Sequence, residues 1–264
     1  MIGILTGSGT YALPGFEESG PAHPEEVATP FGPTFVSSGS FAGTEVLHVA
    51  RHRAGHELLS SQVTHQANVW ALRERGAHGV LAVTVCGALD PALELGSLVV
   101  FDDLHFLANR LPDGSICTLH TEPGAPGRGH WIFDKPFSGP LRAALLEGAR
   151  EAGHPVRDGG CYGHVDGPRF NTRAEIRMLQ QAGVTAVSQT AGPETVLCGE
   201  AELPYALIGY ATDYANGVSE PAPVEELVRL IGASTQTFAD TLAAAVGRVA
   251  AAVIEPAGTH YRFD

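Results

Sequence analysis

Short, almost continuous apolar runs recur along the chain. They lie at Ile2–Leu5, Glu45–Ala50, Gly79–Val85, Ser97–Phe101, Ala186–Ser188 and Tyr205–Ala211. Strands that are buried on both faces of a parallel sheet have this pattern, whereas half-exposed strands alternate apolar and polar residues. The runs therefore predict the buried strands of a sheet.

Segments with a helical spacing of apolar residues lie between these runs, at Gln62–Arg75, Gly139–Ala152, Ala174–Gln181 and Val224–Val253. We expect the last to be broken near Gly232 or Gly247, because glycine lowers helix stability. Strands that alternate with helices predict an α/β fold with a mainly parallel sheet. The length of 264 residues suits one large domain or two small ones.

The segment Leu107–Pro136 departs from this alternation, because it is rich in Gly, Pro and polar residues. Loops of this length are often functional. A lid, a subunit-contact loop and a plain surface excursion all fit the segment. The tail after Pro256 predicts no regular element.

Composition and charge narrow the class of protein. Hydrophobic residues make up 44% of the chain, but no apolar run is long enough to span a membrane. The first residues are too short and uncharged for a signal peptide, so we expect a cytoplasmic protein. The net charge of −13 disfavours nucleic acid and anionic membranes as partners. An anion site must then come from a few placed donors.

Metal-ligand patterns are weak in this sequence. The four cysteines form no C-x-x-C pair, and we expect reduced, mostly buried thiols. His52 and His56 have an i, i+4 spacing, but no helix and no H-E-x-x-H motif are indicated there. We expect no metal site.

Candidate anion donors follow several strands. In Gly7-Ser8-Gly9, after the first strand, glycines let backbone amides approach an anion and the hydroxyl adds a donor, although a simple tight turn fits equally well. Arg51 and His52 end the second strand, and arginine offers a planar fork to phosphate. Thr84 and Thr190 lie near strand ends, where open α/β sheets bind ligands.

The chain also contains candidates for chemistry on a flat ligand. Asp213 ends the last apolar strand, where a half-buried carboxyl can have a raised pKa and donate a proton. A capping or turn role for this residue fits equally well. Thr172 and Glu175 have the spacing of a capping box, which predicts a helix start. Phe170, just before it, could stack on a ring.

Taken together and in this order, these segments resemble the trimeric purine nucleoside phosphorylase and methylthioadenosine phosphorylase family. The resemblance runs from residue 2 to about residue 245 and includes Thr29–Gly32 and Gln66–Leu72. It implies a single α/β domain over residues 1–264, with a mixed, mainly parallel, twisted and partly barrel-like sheet flanked by helices. It also implies a homotrimer that cleaves a purine nucleoside with inorganic phosphate as co-substrate and without a cofactor.

The resemblance assigns roles to individual residues. The phosphate-binding residues would be Ser8, Arg51, His52, Thr84 and Thr190, and the residues at the base and ribose would be Phe170, Asn171, Gln189, Asp213 and Ala215. Gln189 stands where the family has a Met under the ribose. Ala215 stands where methylthioadenosine phosphorylases often have a second acid. Asp213 would act as the general acid at N7 of the purine.

The base-edge residues favour a 6-aminopurine. Family members that take 6-oxopurines carry Glu after the Phe and Asn at the strand end, whereas this chain has Asn171 and Asp213. A carboxyl can accept a hydrogen bond from the amino group of adenine. In the mammalian 6-oxopurine enzymes of the family, a histidine on the next helix contacts the 5′-hydroxyl. The corresponding stretch here, Val224–Leu227, holds no histidine, and the resemblance thus implies a 5′-alkylthio group such as that of 5′-methylthioadenosine.

Three alternatives stay open at the level of sequence. One is a phosphorylase of 6-oxopurine nucleosides such as inosine, guanosine or methylthioinosine. Another is a non-catalytic nucleoside-binding protein on the same fold. A nicotinamide-binding oxidoreductase rests only on the loose fingerprint Gly7-x-Gly9-x-x-Ala12.

Overall fold

The computed structural model describes residues 1–19, 24–220 and 222–263. In these residues the strands are β1 (Ile2–Thr6), β2 (Phe16–Glu18), β3 (Glu25–Val27), β4 (Thr34–Phe41), β5 (Thr44–Ala50), β6 (Val80–Ala88), β7 (Leu98–Val100), β8 (Asp103–His105), β9 (Gly129–Ile132), β10 (Val156–Asp158), β11 (Cys161–His164), β12 (Val184–Ser188), β13 (Tyr205–Tyr214) and β14 (Thr259–Arg262). Twelve of them form one sheet, and β9 and β14 form a second, small one.

The centre of the main sheet is parallel. Strand β1 pairs in parallel with β5 and β6, and β13 pairs in parallel with β6. Antiparallel pairs flank this centre, since β7 runs against β13 and β4 runs against β5. The predicted α/β fold with a mixed sheet is therefore confirmed. Strand β12 branches off at the end of β6 and continues through β11 to β8, and closure of these strands into a partial barrel stays a prediction.

Helices cover both faces of the sheet. They are α1 (His65–Glu74), α2 (Gly139–Glu151), α3 (Arg173–Gln181), α4 (Ala191–Glu200) and α5 (Val224–Val249). Helices α2 and α5 pack together over one face, and α1 and α4 pack over the other. The nearly continuous apolar runs follow from this arrangement, because consecutive strand residues point into two separate cores.

The expected break in the last helix is wrong, because α5 runs without interruption through Gly232 and Gly247. Each glycine costs an exposed helix about 1 kcal/mol relative to alanine. The helix offsets this cost by burying an apolar stripe that includes Phe238, Leu242 and Val246. Tertiary packing therefore outweighs local propensity here.

The expectation of no regular element after Pro256 is also wrong. Residues 259–262 form β14, which pairs antiparallel with β9 inside the predicted loop Leu107–Pro136. Trp131 of β9 donates a hydrogen bond from Nε1 to the carbonyl oxygen of Ala257 at 2.9 Å. Because the pairing joins segments that are far apart in the chain, no local sequence pattern predicts it.

Two further features bear on the class of protein. Among the described residues no helix is long and apolar enough to cross a membrane. The four cysteines are free thiols, and Cys86, Cys117 and Cys198 are buried, as expected.

Candidate active site

A cavity of about 340 Å³ opens where several strands of the main sheet end. This volume lies in the range of small-molecule sites, and the carboxyl ends of strands are where such sheets bind ligands. The cavity brings together all the predicted site residues, which are Ser8, Arg51, His52, Thr84, Phe170, Asn171, Gln189, Thr190, Asp213 and Ala215. The individual role of each residue stays a prediction.

The Gly7-Ser8-Gly9 turn lies between α5 and Arg51. A Cβ at Gly7 would lie 2.5 Å from Nη1 of Arg51, and one at Gly9 would lie 2.9 Å from the carbonyl oxygen of Ile231. Gly9 also has a φ of 81°, which glycine adopts readily. The turn leads into loop and then β2, with no helix after it. The dinucleotide fingerprint therefore lacks the helix that would bind a pyrophosphate.

The guanidinium of Arg51 is fully buried and paired with the carboxylate of Glu194. Nε donates to Oε1 at 2.6 Å and Nη2 donates to Oε2 at 2.9 Å. Nη1 donates to the carbonyl oxygen of Val83 at 2.8 Å, and Nη2 lies 3.5 Å from that of Leu5. Four of the five donors of arginine are used in this way. The Nε and Nη2 donors that were expected to bind phosphate thus bind Glu194 instead. One N–H of Nη1 is left for an anion.

His52 lies beside Arg51 and is a neutral imidazole. Its Nδ1 lies 2.8 Å from the carbonyl oxygen of Leu58. Burial and, to a smaller extent, the nearby charge of Arg51 lower the pKa of His52 to about 4. The ring of His56 stacks on that of His52 at a centroid distance of 4.3 Å, and its Nδ1 lies 2.9 Å from the hydroxyl of Tyr11. This part of the cavity therefore carries little net positive charge.

Hydroxyl groups supply neutral donors on the same side. Thr84 lies in the middle of β6 rather than at its end, and its hydroxyl bonds that of Ser188 at 2.7 Å. Thr190 precedes α4, and its side chain makes no capping bond there. The first turn of α4 adds few donors, because the N–H of Ala191 donates to the hydroxyl of Tyr162 at 3.1 Å and Pro193 has no N–H. Together the hydroxyl groups can bind a small oxyanion.

Asp213 is the carboxyl group of the cavity that ends β13. Burial raises the pKa of this carboxyl, although the hydroxyl of Thr212, which donates to Oδ1 at 2.9 Å, opposes the rise. Its other oxygen, Oδ2, lies 3.3 Å from the position of a Cβ at Gly87. Glycine at this position thus leaves Oδ2 open, and the raised pKa suits a proton donor.

The segment Arg169–Asn171 forms another wall and is held from two sides. Gln189 accepts from the hydroxyl of Ser60 at 2.8 Å and donates to the carbonyl oxygen of Arg169 at 3.1 Å. Asn216 donates to the carbonyl oxygen of Asn171 at 2.7 Å. The predicted capping box of Thr172 and Glu175 is present and starts α3 directly after this wall. The ring of Phe170 is 65% exposed and free to cover a flat ligand.

The remaining wall is apolar. Leu227 and Ile231 of α5 line the cavity, as do Val165, Ile176 and Val187. Among the described lining residues no charged side chain comes from α5. This wall suits an uncharged, apolar substituent.

Sequence reasoning gave no role to several residues that build this site. Glu194 lies in the motif that follows β12. Its charge in an otherwise apolar segment could have indicated a buried partner of opposite charge. His56 lines the cavity, although it fits a solvated charge equally well by sequence. Ser60 carries no local signal, because its contact with Gln189 spans 129 residues. No metal-binding cluster occurs in the part of the chain that the structure describes.

Known proteins share this architecture over almost its whole length. The sequence profile of the phosphorylase superfamily matches residues 1–255. The chain is 33% identical over 251 residues to an S-methyl-5′-thioadenosine phosphorylase of Pyrococcus furiosus, covering 94% of this chain and 92% of the relative. It is 31% identical over 250 residues to a 6-oxopurine nucleoside phosphorylase of the same organism, covering 93% and 91%.

A solved structure agrees with these relatives. The methylthioadenosine phosphorylase of Schistosoma mansoni in complex with adenine superposes with a TM-score of 0.84 at 29% identity, covering 95% of this chain and 92% of that one. The fold is thus shared. The chain belongs to the phosphorylase superfamily, in the family of purine nucleoside and methylthioadenosine phosphorylases.

Proposed function

We propose that this enzyme uses inorganic phosphate to cleave a 6-aminopurine nucleoside, with 5′-methylthioadenosine as the favoured substrate. The products are the free purine and 5-methylthioribose 1-phosphate. The observation that carries the proposal is the single cavity that joins oxyanion donors, the Asp213 carboxyl and an apolar wall. We also propose a homotrimer, as in the family that the sequence resembles.

Phosphate is the nucleophile in this mechanism. The hydroxyls of Ser8, Thr84 and Thr190 and the remaining N–H of Arg51 Nη1 orient it toward C1′ of the ribose. A phosphate oxygen forms a bond to C1′ while the bond from C1′ to N9 breaks, and the bonding electrons move onto the purine. Orientation of this kind lowers a barrier by up to about 7–11 kcal/mol in the best cases.

The departing purine needs a proton. Asp213 delivers it to N7, and burial favours the protonated carboxyl that this step requires. General acid catalysis of this type contributes roughly 10²–10⁴-fold to a rate. After the proton leaves, the carboxylate is restored to the acid from solvent.

The choice of base rests on the types of two residues. One carboxyl oxygen of Asp213 can accept from the C6 amino group while the other serves N7. Asn171, in the facing wall, carries no charge that would select N1–H of a 6-oxopurine. The second candidate, a 6-oxopurine nucleoside phosphorylase, is favoured by relatives of that name, which are at least as similar to this chain as the methylthioadenosine phosphorylases are.

A substrate panel tests the proposal. Methylthioadenosine, adenosine, inosine and methylthioinosine are compared with and without phosphate, and the free base and sugar phosphate are measured. We expect fastest phosphate-dependent release of adenine from methylthioadenosine. Faster turnover of inosine would assign the second candidate, and cleavage without phosphate would make the enzyme a hydrolase.

Variants of Asp213 and Asn171 test the assigned roles. Asp213→Asn should lower kcat on methylthioadenosine about 10²–10⁴-fold while leaving the KM for phosphate nearly unchanged. Asp240→Asn, on an exposed side chain of α5 outside the cavity lining, is the matched control. Asn171→Glu combined with Asp213→Asn should shift preference toward inosine. An unchanged preference would mean that these residues do not contact the base edge.

A further inference from the structure

The contacts of His52 determine which of its two ring nitrogens carries the N–H hydrogen. A carbonyl oxygen can only accept a hydrogen bond, so the 2.8 Å contact with Leu58 requires the hydrogen on Nδ1. A second proton is disfavoured, because the ring is buried and faces the cation of Arg51 and the imidazole of His56. The other ring nitrogen, Nε2, is therefore an acceptor.

This acceptor is directed toward the expected anion. One edge of the ring faces Leu58, and one of its faces is covered by His56. The opposite edge faces the Gly7-Ser8 turn, since a Cβ at Gly7 would lie 3.8 Å from Cδ2, the carbon bonded to Nε2. No residue in the described ranges bonds Nε2, and the ring lines the cavity.

His52 differs from the hydroxyl groups around the expected anion, because its Nε2 can accept a hydrogen bond but cannot donate one. Hydroxyls of Ser8, Thr84 and Thr190 and the remaining N–H of Arg51 Nη1 can donate. A monohydrogen phosphate dianion has the matching pattern, with three bare oxygens and one hydroxyl. Sulfate and fluorophosphate have a similar shape and charge, but neither carries a hydroxyl.

We propose that His52 makes this site selective for tetrahedral anions that carry a hydroxyl group, and that it thereby discriminates phosphate from sulfate. The proposal rests on the proposed function and deepens it. The protonated oxygen of phosphate is held at Nε2, so a bare oxygen is presented to C1′. His52 is therefore a specificity-determining residue for the nucleophile.

The expected discrimination follows from one hydrogen bond. With sulfate, a bare oxygen faces the Nε2 lone pair and the bond made by the phosphate hydroxyl is lost. Hydrogen bonds to charged groups contribute enough to correspond to roughly 10–100-fold in affinity. Sulfate and fluorophosphate should therefore bind that much more weakly than phosphate or arsenate at neutral pH.

The test uses the whole protein and four anions. Inhibition of phosphorolysis by sulfate and fluorophosphate is measured near pH 7.5, arsenate is tested as a replacement for phosphate, and direct binding of each anion is followed by calorimetry. We expect arsenate to replace phosphate and the two anions without a hydroxyl to bind about 10–100-fold more weakly. Equal binding of sulfate and phosphate to the wild-type protein would overturn the proposal.

A substitution at His52 tests its own contribution to the anion selectivity, apart from that of the other site residues. In His52→Gln the amide can present an N–H to the anion, so the ratio of sulfate to phosphate affinity should approach one. His154→Gln, on a side chain that pairs with Asp240, is the control and should keep the wild-type ratio. Full discrimination in a folded His52→Gln variant would also refute the proposal. If phosphate bound selectively but no nucleoside were cleaved, the proposed function would fail and the anion selectivity would stand.

Discussion

The buried pair of Arg51 and Glu194 gives the sharpest prediction for stability. Both side chains have no exposed surface, and two hydrogen bonds join them. Tyr205 donates a third bond to Glu194 at 3.0 Å. Replacement of Glu194 by Ala would leave the guanidinium buried without a counter-charge.

The expected loss is large. Removal of one partner of a buried ion pair costs about 3–5 kcal/mol, because the other charge stays desolvated. For a chain of this size, that loss lowers the melting temperature by about 6–20 °C. Arg51→Ala should have a similar effect, so a raised phosphate requirement in that variant will be accompanied by lower stability.

The assay is urea unfolding followed by fluorescence, with calorimetry for the melting temperature. A double-mutant cycle with Arg51→Met and Glu194→Leu should show strong coupling, because the double variant leaves no unpaired charge. Arg248→Ala, which breaks exposed pairs with Glu147 and Glu151, should leave the unfolding midpoint unchanged. Additive losses in the cycle, or an undiminished midpoint in Glu194→Ala, would refute the reasoning.

Three other predictions follow from other buried groups and contacts of the structure. Burial lowers the pKa of His48 to about 4 and that of His164 to about 3. The unfolded chain therefore binds more protons below about pH 6.5, so the urea midpoint should fall from pH 7 to pH 4.5, and a flat profile would contradict this. Gln189→Met removes both bonds of Gln189 and should raise the nucleoside KM several-fold while the phosphate KM stays constant, as measured by initial rates. Gly87→Ala crowds Oδ2 of Asp213 and should lower kcat with little change in melting temperature; an unchanged kcat would count against the geometry.

The parts of the fold that local patterns determine were predictable. The apolar runs locate the central strands, because burial on both faces imposes continuous apolar sequence. The capping-box spacing of Thr172 and Glu175 locates the start of α3 for a similarly local reason. The pairing of β9 with β14 was not predictable, because its register depends on a tertiary contact between distant segments.

The cavity, like the fold, has features that local sequence predicts and features that depend on tertiary contacts. Most of its predicted members follow strand ends, which a parallel sheet brings to one edge, whereas Thr84 lies in the middle of β6. The partner of Arg51 is 143 residues away in sequence, and the partner of Gln189 at Ser60 is 129 residues away. The residue types thus predicted which groups could bind a ligand. The three-dimensional contacts were needed to show which donors bond other protein groups and which stay available for a ligand.

These contacts change the expected character of the phosphate site. An arginine in an acidic chain suggests a site that attracts phosphate by charge, but Glu194 balances the charge of Arg51 locally. His52 is neutral as well, since burial lowers its pKa to about 4. We therefore expect phosphate binding at the proposed site to depend on directed hydrogen bonds from hydroxyls, whose strength falls steeply when their geometry is poor. Such a site should be tuned by the positions of Ser8 and Thr190 more than by added salt, because salt screens long-range charge but leaves short hydrogen bonds almost unaffected.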